Sequence, residues 1–129
     1  MAYEYYNPNP FQLHIDDYMV RALSKVLGIP WEMASVLLCN ATIKMGLTEN
    51  DKAVFMAVLR ENNFDREAIS NDCPDCYTAE DFCVNNPKGT FVLDFGSHVA
   101  AVVDGVIYDT ADIRKMIPHF FWRKREVEE

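Results

Sequence analysis

The residues best suited to chemistry lie in a predicted hairpin near the carboxyl end of the chain. The sequence there is FVLDFGSHVAAVVDGVIYDTADIR, with Asp104 and Gly105 between two apolar runs. A two-residue Asp-Gly loop favours a type I′ turn, and that turn fixes a register in which Ala100 faces Asp109. Because side chains alternate along a strand, His98 shares a face with Ala100 and becomes the diagonal neighbour of Asp109.

A carboxylate beside His98 can hold the imidazole in one tautomer and stabilise its protonated form. This is what the orienting acid does in Cys-His-Asp and Ser-His-Asp sites. The alternative is a histidine whose hydrogen bonds are satisfied by any nearby acceptor, without a catalytic role. The pair alone leaves open whether the chain is an enzyme.

Helical patterns fill the front half of the chain. Four helices are expected. The first is capped by Asp16 or Asp17 and ends at Gly28, and the second begins at Pro30 and ends at Gly46. The third begins at Thr48, and Thr78 with Asp81 indicates a short fourth helix. These boundaries follow from side-chain caps at helix starts and glycines at helix ends.

Strand patterns replace helical ones after Gly89. The segments are TFVLDF, SHVAAVV, VIYDT and HFFWRK, the last as an edge or closing strand. SHVAAVV is apolar on both faces, so we expect it to be central and covered by a helix. Helices followed by antiparallel strands predict an α+β fold in a single domain, residues 1–129.

Composition limits the classes of function. The 129 residues are 50% hydrophobic and carry a net charge of −8. The acidic balance argues against binding to a phosphate backbone and favours either a solvated surface or a basic protein partner. No stretch approaches the length of a membrane span, and the segment MAYEYYNPNP does not resemble a signal peptide. We therefore expect a cytoplasmic protein.

The cysteines form a partial metal pattern. Cys73, Cys76 and Cys83 are spaced C-x2-C-x6-C. Structural zinc usually needs four ligands, so Cys39, His14 or His119 would have to complete the set. A redox pair of Cys73 and Cys76 is another alternative. In a reducing compartment the expectation is simple thiols, with no metal and no cofactor.

Aromatic residues cluster near both ends of the chain. The segment YEYYNPNPF could be a recognition arm for a partner, or an extended segment packed on its own domain, and we expect the second. Phe120, Phe121 and Trp122 are likewise expected to be core contacts of the last strand.

Four segments carry a resemblance to a known family. DDYMVRALSKVLG, CPDCYTAEDF, NPKGTFVL and SHVAAVVDGVIYDTAD are similar, in order and spacing, to segments of small proteins of phages, prophages and gut Firmicutes. The similarity runs from about Tyr6 to Trp122. Those proteins resemble the papain-like cysteine peptidase superfamily, in which a helix begins at the catalytic cysteine and a C-terminal antiparallel sheet carries the histidine and the acid. The resemblance implies a papain-like α+β fold, with N-terminal helices packed on that sheet.

The same resemblance assigns site residues. It implies that Tyr18 occupies the nucleophile position, His98 that of the base and Asp109 that of the orienting acid. Gln12, six residues before Tyr18, stands at the interval of the oxyanion glutamine, although an exposed loop glutamine is the simpler interpretation. Ser97 replaces the usual glycine before the histidine, and Ala111 a frequent tryptophan.

The tyrosine changes the expected function. A cysteine at a helix N-terminus has a lowered pKa, whereas a phenol has a reference pKa of about 10 and a ring that reaches past the point of attack. We expect the Tyr18 ring to fill the former cleft and its hydroxyl to bond to His98. Two functions follow as expectations. One is a non-catalytic binding module, as a phage or prophage protein that engages or inhibits a host protein, including one of CRISPR defence. The alternative is an active small hydrolase of peptide or isopeptide bonds. The expected partner is a host or phage protein, without nucleic acid or membrane, and the oligomeric state is left open.

Overall fold

The fold is α+β, as the order of helical and strand patterns predicts. The computed structural model describes residues 3–48, 51–69 and 76–125. Within these ranges lie four helices, α1 (Tyr18–Leu27), α2 (Trp31–Met45), α3 (Lys52–Glu61) and α4 (Ala79–Asn85). The strands are β1 (Tyr3–Tyr5), β2 (Phe64–Ala68), β3 (Thr90–Asp94), β4 (Val99–Val103), β5 (Val106–Asp109) and β6 (Phe120–Lys124).

One mixed sheet joins all six strands in the order β1-β5-β4-β3-β6-β2. β1 runs parallel to β5, and every other neighbouring pair is antiparallel. The expectation of a wholly antiparallel sheet is therefore wrong at this edge. The reason is the N-terminal segment, which packs on its own domain as expected and adds a strand beside β5.

The hairpin has the predicted register. Val103 pairs with Val106, and Val102 pairs with Ile107. Asp104 and Gly105 have φ of 49° and 78°, the positive values that a type I′ turn requires. β4 is central, its first four residues are buried, and α1 packs across it. The prediction of a central, covered strand is confirmed.

The other side of the sheet differs from expectation. The predicted edge strand β6 lies inside the sheet, between β3 and β2. Strand β2 was not predicted, because FDREA carries no alternation of apolar and polar residues. In the structure only its first residue is buried. The strand forms because it pairs with β6. Two exposed ion pairs join the same segments, Arg123 with Glu67 at 2.8 Å and Arg125 with Asp65 at 3.2 Å.

The predicted caps hold at two glycines and on α4 but differ at the starts of α1 and α3. Asp17 stands at the N-cap of α1, yet its side chain makes no capping hydrogen bond, because it is bonded to Arg21 and Trp31 instead. Gly28 and Gly46 end α1 and α2 in the left-handed conformation, and Thr78 with Asp81 forms a capping box on α4. The third helix begins at Lys52 rather than at Thr48. Its cap is Asp51, whose side chain accepts a hydrogen bond from the Ala53 backbone N–H.

The sheet is covered on both faces. Helices α1, α2 and α3 pack on one face against Val92, Val99, Ala101 and Trp122. Helix α4 packs on the other face against Phe91, Leu93, Ala100, Val102 and Phe121. Alternate residues of β3, β4 and β6 thus point to opposite sides, and the last strand supplies core contacts as expected. No single helix in the described ranges has the length and apolar composition to cross a membrane. Within those ranges, the required length and composition are met only by α1 and α2 taken together, and that pair is bent by 113°.

Candidate functional site

His98 and Asp109 form a hydrogen-bonded pair at one end of the sheet. His98 directly precedes β4, Asp109 ends β5, and the distance from His98 Nε2 to Asp109 Oδ2 is 2.6 Å. The Asp109 side chain is only 3% exposed, whereas that of His98 is 22% exposed. The imidazole therefore lies at the surface with its acid partner buried behind it.

A buried arginine holds the other side of this carboxylate. Arg21 of α1 donates from Nη2 to Asp109 Oδ1 at 3.0 Å, and the Thr110 backbone N–H donates to the same oxygen at 2.6 Å. Arg21 also donates from Nη1 to Asp17 and to the Ile15 carbonyl. Both oxygens of Asp109 are thus occupied by donors.

The network continues past Arg21 to the start of the second helix. The Trp31 indole N–H donates to Asp17 Oδ2 at 2.8 Å. The chain of contacts from Trp31 through Asp17, Arg21 and Asp109 to His98 is called the buried network below. It ties the first turns of α1 and α2 to the end of the β4–β5 hairpin.

The surroundings of Asp109 lower its pKa. Burial alone would raise the pKa of this carboxyl, but the hydrogen bond and charge of His98, the Thr110 N–H and the charge of Arg21 together outweigh burial. Asp109 is therefore the acceptor, and His98 Nε2 carries the shared hydrogen. Nδ1 is left as the ring nitrogen with no hydrogen-bond partner among the residues described, and in the neutral imidazole it would be the basic one.

Tyr18 covers the histidine ring. Tyr18 is the first residue of α1, and the ring centroids of Tyr18 and His98 are 5.0 Å apart at an interplanar angle of 47°. The Phe95 ring is also near, with 6.3 Å between its centroid and that of His98. No hydrogen bond joins the Tyr18 hydroxyl to His98, so the expected hydroxyl contact is wrong. The ring itself makes the contact, because a phenol at the first helical position extends over the imidazole.

Gln12 is held away from this pair. Its side-chain amide donates to the backbone carbonyls of Asn9 at 2.9 Å and Asn7 at 3.4 Å. The residue is exposed and has a positive φ of 55°. These contacts stabilise the loop before α1, and no hydrogen bond joins Gln12 to His98 or Tyr18.

The structure describes three of the four cysteines, Cys39, Cys76 and Cys83. Cys76 is disulfide-bonded, so the expectation of a simple thiol there is wrong, and Cys73 lies outside the described residues. Cys83 is a free thiol on the buried face of α4, where burial and the nearby Glu80 raise its pKa to about 11. Cys39 is free and exposed. Across the described ranges no three His, Cys, Asp or Glu side chains form a group that could hold a metal ion.

A cavity of about 380 Å³ is bounded in part by Asp17 and Trp31 of the buried network. It is lined by Ile15, Asp16, Asp17, Met19, Val20, Trp31, Ser35, Leu38 and Cys39. Neither His98 nor Asp109 contributes to it. This cavity therefore adjoins the buried network but is not lined by the His98 and Asp109 pair.

Sequence reasoning found the two hairpin residues and missed Arg21, Asp17 and Trp31 as their supports. One signal was available: Asp17 precedes Arg21 by four residues, the spacing at which opposite charges on a helix form an ion pair. A charged side chain is almost never fully buried without a partner. The partner itself, 88 residues away in the chain, is visible only in the fold.

No protein-family model, no curated protein and no solved structure matches this chain. The site is therefore described by its own geometry: an imidazole hydrogen-bonded to a buried carboxylate, with an aromatic ring packed against the imidazole.

Proposed function

We propose that this chain is a non-catalytic protein-binding module built on a papain-like scaffold. The observation that supports the proposal most directly is the Tyr18 ring, which lies 5.0 Å from the His98 ring at the first position of α1. The resemblance puts the nucleophilic cysteine at this position. A phenol is a poor nucleophile for acyl transfer near neutral pH, and here it also covers the imidazole.

The free thiols do not replace the missing nucleophile. Cys83 lies in the core on the buried face of α4 with a raised pKa, and Cys39 lines the cavity beside Asp17. Nucleophilic catalysis needs the thiol or hydroxyl within hydrogen-bond reach of its base. In the described part of the chain no such group bonds to the His98 ring, which supports a structural role for the His98 and Asp109 pair.

The proposed partner is a protein with a basic surface, such as a host protein engaged by a phage or prophage product. The net charge of −8 favours a partner of opposite charge. The loop before α1 exposes Phe11, Leu13 and Ile15, at 80%, 51% and 50%. Apolar side chains on an acidic protein are suited to anchor such a contact.

An active hydrolase of peptide or isopeptide bonds is the second candidate. The observation in its favour is the 2.6 Å hydrogen bond between His98 and Asp109, supported by Arg21. This is the geometry an imidazole needs in order to act as a general base.

One set of variants separates the two candidates. In a Cys39→Ser background, Tyr18→Cys should react with iodoacetamide at about pH 6, where an ordinary thiol with a pKa of about 8.5 is mostly protonated. Adding His98→Ala should remove that reactivity, because the helix dipole would then act without the imidazolium. The wild-type chain should hydrolyse neither peptide nor isopeptide substrates.

Two results would contradict the proposal. If the wild-type chain turns over such a substrate and His98→Ala abolishes turnover in a folded protein, the hydrolase function replaces it. If Tyr18→Cys reacts no faster than Cys39 does in the wild-type chain, the position is not a former nucleophile site, and the papain-like scaffold is wrong.

A further inference from the structure

The cavity beside Asp17 has the size and the lining of a small-ligand site. Its volume of about 380 Å³ lies near the lower end of the range for such sites, about 300–1,000 Å³. Most of the lining side chains are apolar, and they come from the loop before α1, from α1 and from α2: Ile15, Met19, Val20, Trp31 and Leu38. A wall of this composition can hold a short hydrocarbon stem.

The charged side chains that line the cavity are both acidic. They are Asp16 and Asp17, and no lysine, arginine or histidine is among the lining residues that the structure describes. Asp16 is exposed, and its side chain has no hydrogen-bond or ion-pair partner in the described part of the chain. The cavity wall therefore carries a negative charge that no described side chain neutralises.

Arg21 compensates only part of the remaining charge. Its guanidinium is shared between Asp17 and Asp109, so the buried network holds two carboxylates against one arginine while the imidazole is neutral. The positive end of the α1 dipole, equivalent to roughly half an elementary charge, is too small to cancel Asp16 as well. A carboxylate oxygen can accept more than one hydrogen bond, so Asp17 can still accept from a ligand.

Trp31 gives the same cavity an aromatic wall. Its indole N–H donates to Asp17 Oδ2 at 2.8 Å, which fixes the ring next to the carboxylate. Tryptophan is the aromatic side chain that binds cations most strongly through its ring. Carboxylates, an indole and an apolar wall in one cavity are complementary to a cation that carries an apolar stem.

We propose that this cavity binds an organic cation, a primary ammonium or guanidinium group on a short apolar stem. The stem lies against the apolar wall, and the cationic group contacts Asp16, Asp17 and the Trp31 ring. A free amine and a lysine or arginine side chain of a protein partner both offer this chemistry. Because neither His98 nor Tyr18 lines the cavity, the binding does not depend on whether the chain is a binding module or a hydrolase.

NMR titration of the ¹⁵N-labelled full chain with n-butylammonium tests the proposal, and n-butanol is the neutral probe of matching stem length. We expect saturable shifts of the Trp31 indole resonance, which Trp31→Phe identifies, and of the backbone amides of residues 15–20 and 35–39. The ammonium should bind at least about fivefold more tightly than the alcohol, which is roughly the effect of one charge pair in water. Equal affinities of the two probes, or no saturable shift at Trp31, overturn the proposal.

Variants locate the cation within the cavity. Asp16→Asn should weaken the binding of n-butylammonium about fivefold and leave that of n-butanol unchanged. Glu61→Gln is the matched control, because it removes the same charge from an exposed position on α3 outside the cavity and should leave both affinities unchanged. Cys39→Phe should fill the cavity and abolish the binding of both probes. Circular dichroism establishes that each variant is folded. Equal weakening by Asp16→Asn and Glu61→Gln would reflect net charge alone and would overturn the proposal.

A peptide arm distinguishes the two sources of the cation. A blocked peptide with one lysine between alanines is compared with the same peptide carrying norleucine in place of the lysine. Tighter binding of the lysine peptide than of n-butylammonium assigns the cavity to the side chain of a protein partner, and weaker binding assigns it to a free amine. A norleucine peptide that shifts the Trp31 indole resonance with the same affinity as the lysine peptide shows that no cation is recognised, and overturns the proposal.

Discussion

Asp109 connects the surface imidazole to the interior. It accepts hydrogen bonds from His98 on one oxygen and from Arg21 and Thr110 on the other. A buried carboxylate without such donors would strongly destabilise the fold. The stability of the folded state therefore depends on these hydrogen bonds. The buried network therefore has a structural role whether or not His98 ever moves a proton.

The lowered pKa of Asp109 makes stability depend on acid. The folded-state pKa lies below the reference value of 3.8, so the stabilisation is fully present above that value and is lost as pH falls through the folded pKa. Asp109→Asn should lower the free energy of unfolding near neutral pH and flatten its decline between about pH 5 and about pH 2. Urea unfolding at several pH values measures this. Asp65→Asn, at an exposed ion pair, is the control, and an unchanged acid slope in Asp109→Asn would contradict the prediction.

Removing Arg21 should be more damaging than removing any surface arginine. Arg21→Met leaves Asp17 and Asp109 buried without their shared cation, and breaking a buried pair in this way costs about 3–5 kcal/mol. Arg125→Met removes an ion pair whose two side chains are each 55% exposed, and it should cost about 1 kcal/mol or less. Denaturant unfolding of the two variants compares them directly. Equal losses would show that Arg21 is not the centre of the network.

The pair of hairpin residues was predictable because one local feature determines it. Once Asp104 and Gly105 form the turn, strand alternation brings His98 and Asp109 together without reference to any other element. The contact of Tyr18 with His98 was predicted from the resemblance alone. That prediction was wrong in detail, because the ring of Tyr18 makes the contact and its hydroxyl does not. Arg21 and Trp31 depend on how α1 and α2 pack on the sheet, which no short sequence interval encodes.

At the level of elements, local caps predicted the helix ends well. Gly28, Gly46 and the pair of Thr78 and Asp81 act through contacts within a few residues, so their sequence signals are complete. Strand β2 and the internal position of β6 were missed for the opposite reason. FDREA is a strand because a neighbour pairs with it, and tertiary pairing routinely overrides weak strand propensity.

The hairpin turn should tolerate substitution less well than a helix end. Gly105 has φ of 78°, and an added Cβ would lie 3.4 Å from the Cys83 carbonyl oxygen and from Pro87 Cα. Gly28 has a similar φ of 65°, but nothing lies within 4 Å of its added Cβ. Gly28→Ala should therefore cost about 1 kcal/mol from backbone strain alone. Gly105→Ala should cost more, since rigid backbone crowds it as well.

Thermal or urea unfolding of the two alanine variants isolates the close approach, because the left-handed strain is common to both. A Gly105→Ala variant no less stable than Gly28→Ala would mean that the turn and the residues around Pro87 separate easily. In that case the hairpin would be held by its strands and not by the loop beside it.

Over the whole molecule, one sheet separates two cores. Val92 and Trp122 belong to the core under α1, α2 and α3, whereas Phe91 and Phe121, their neighbours in the chain, belong to the core under α4. Each central strand thus contributes to both sides. Losing either layer exposes apolar residues of strands that the other layer needs, so the two cores should unfold together.

Labelling of Cys83 tests this cooperativity. Cys83 is 3% exposed on the inner face of α4 and the pKa of its thiol is raised to about 11, so the thiol should react only when α4 moves off the sheet. In a Cys39→Ser background without added reductant, we expect the free energy of opening obtained from labelling rates to equal the free energy of unfolding obtained from urea. Both should fall in parallel as urea is added, because the same surface is exposed. A smaller opening free energy that does not depend on urea would show instead that α4 detaches alone. The core beneath α4 would then be a separate unit from the core that supports His98 and Asp109.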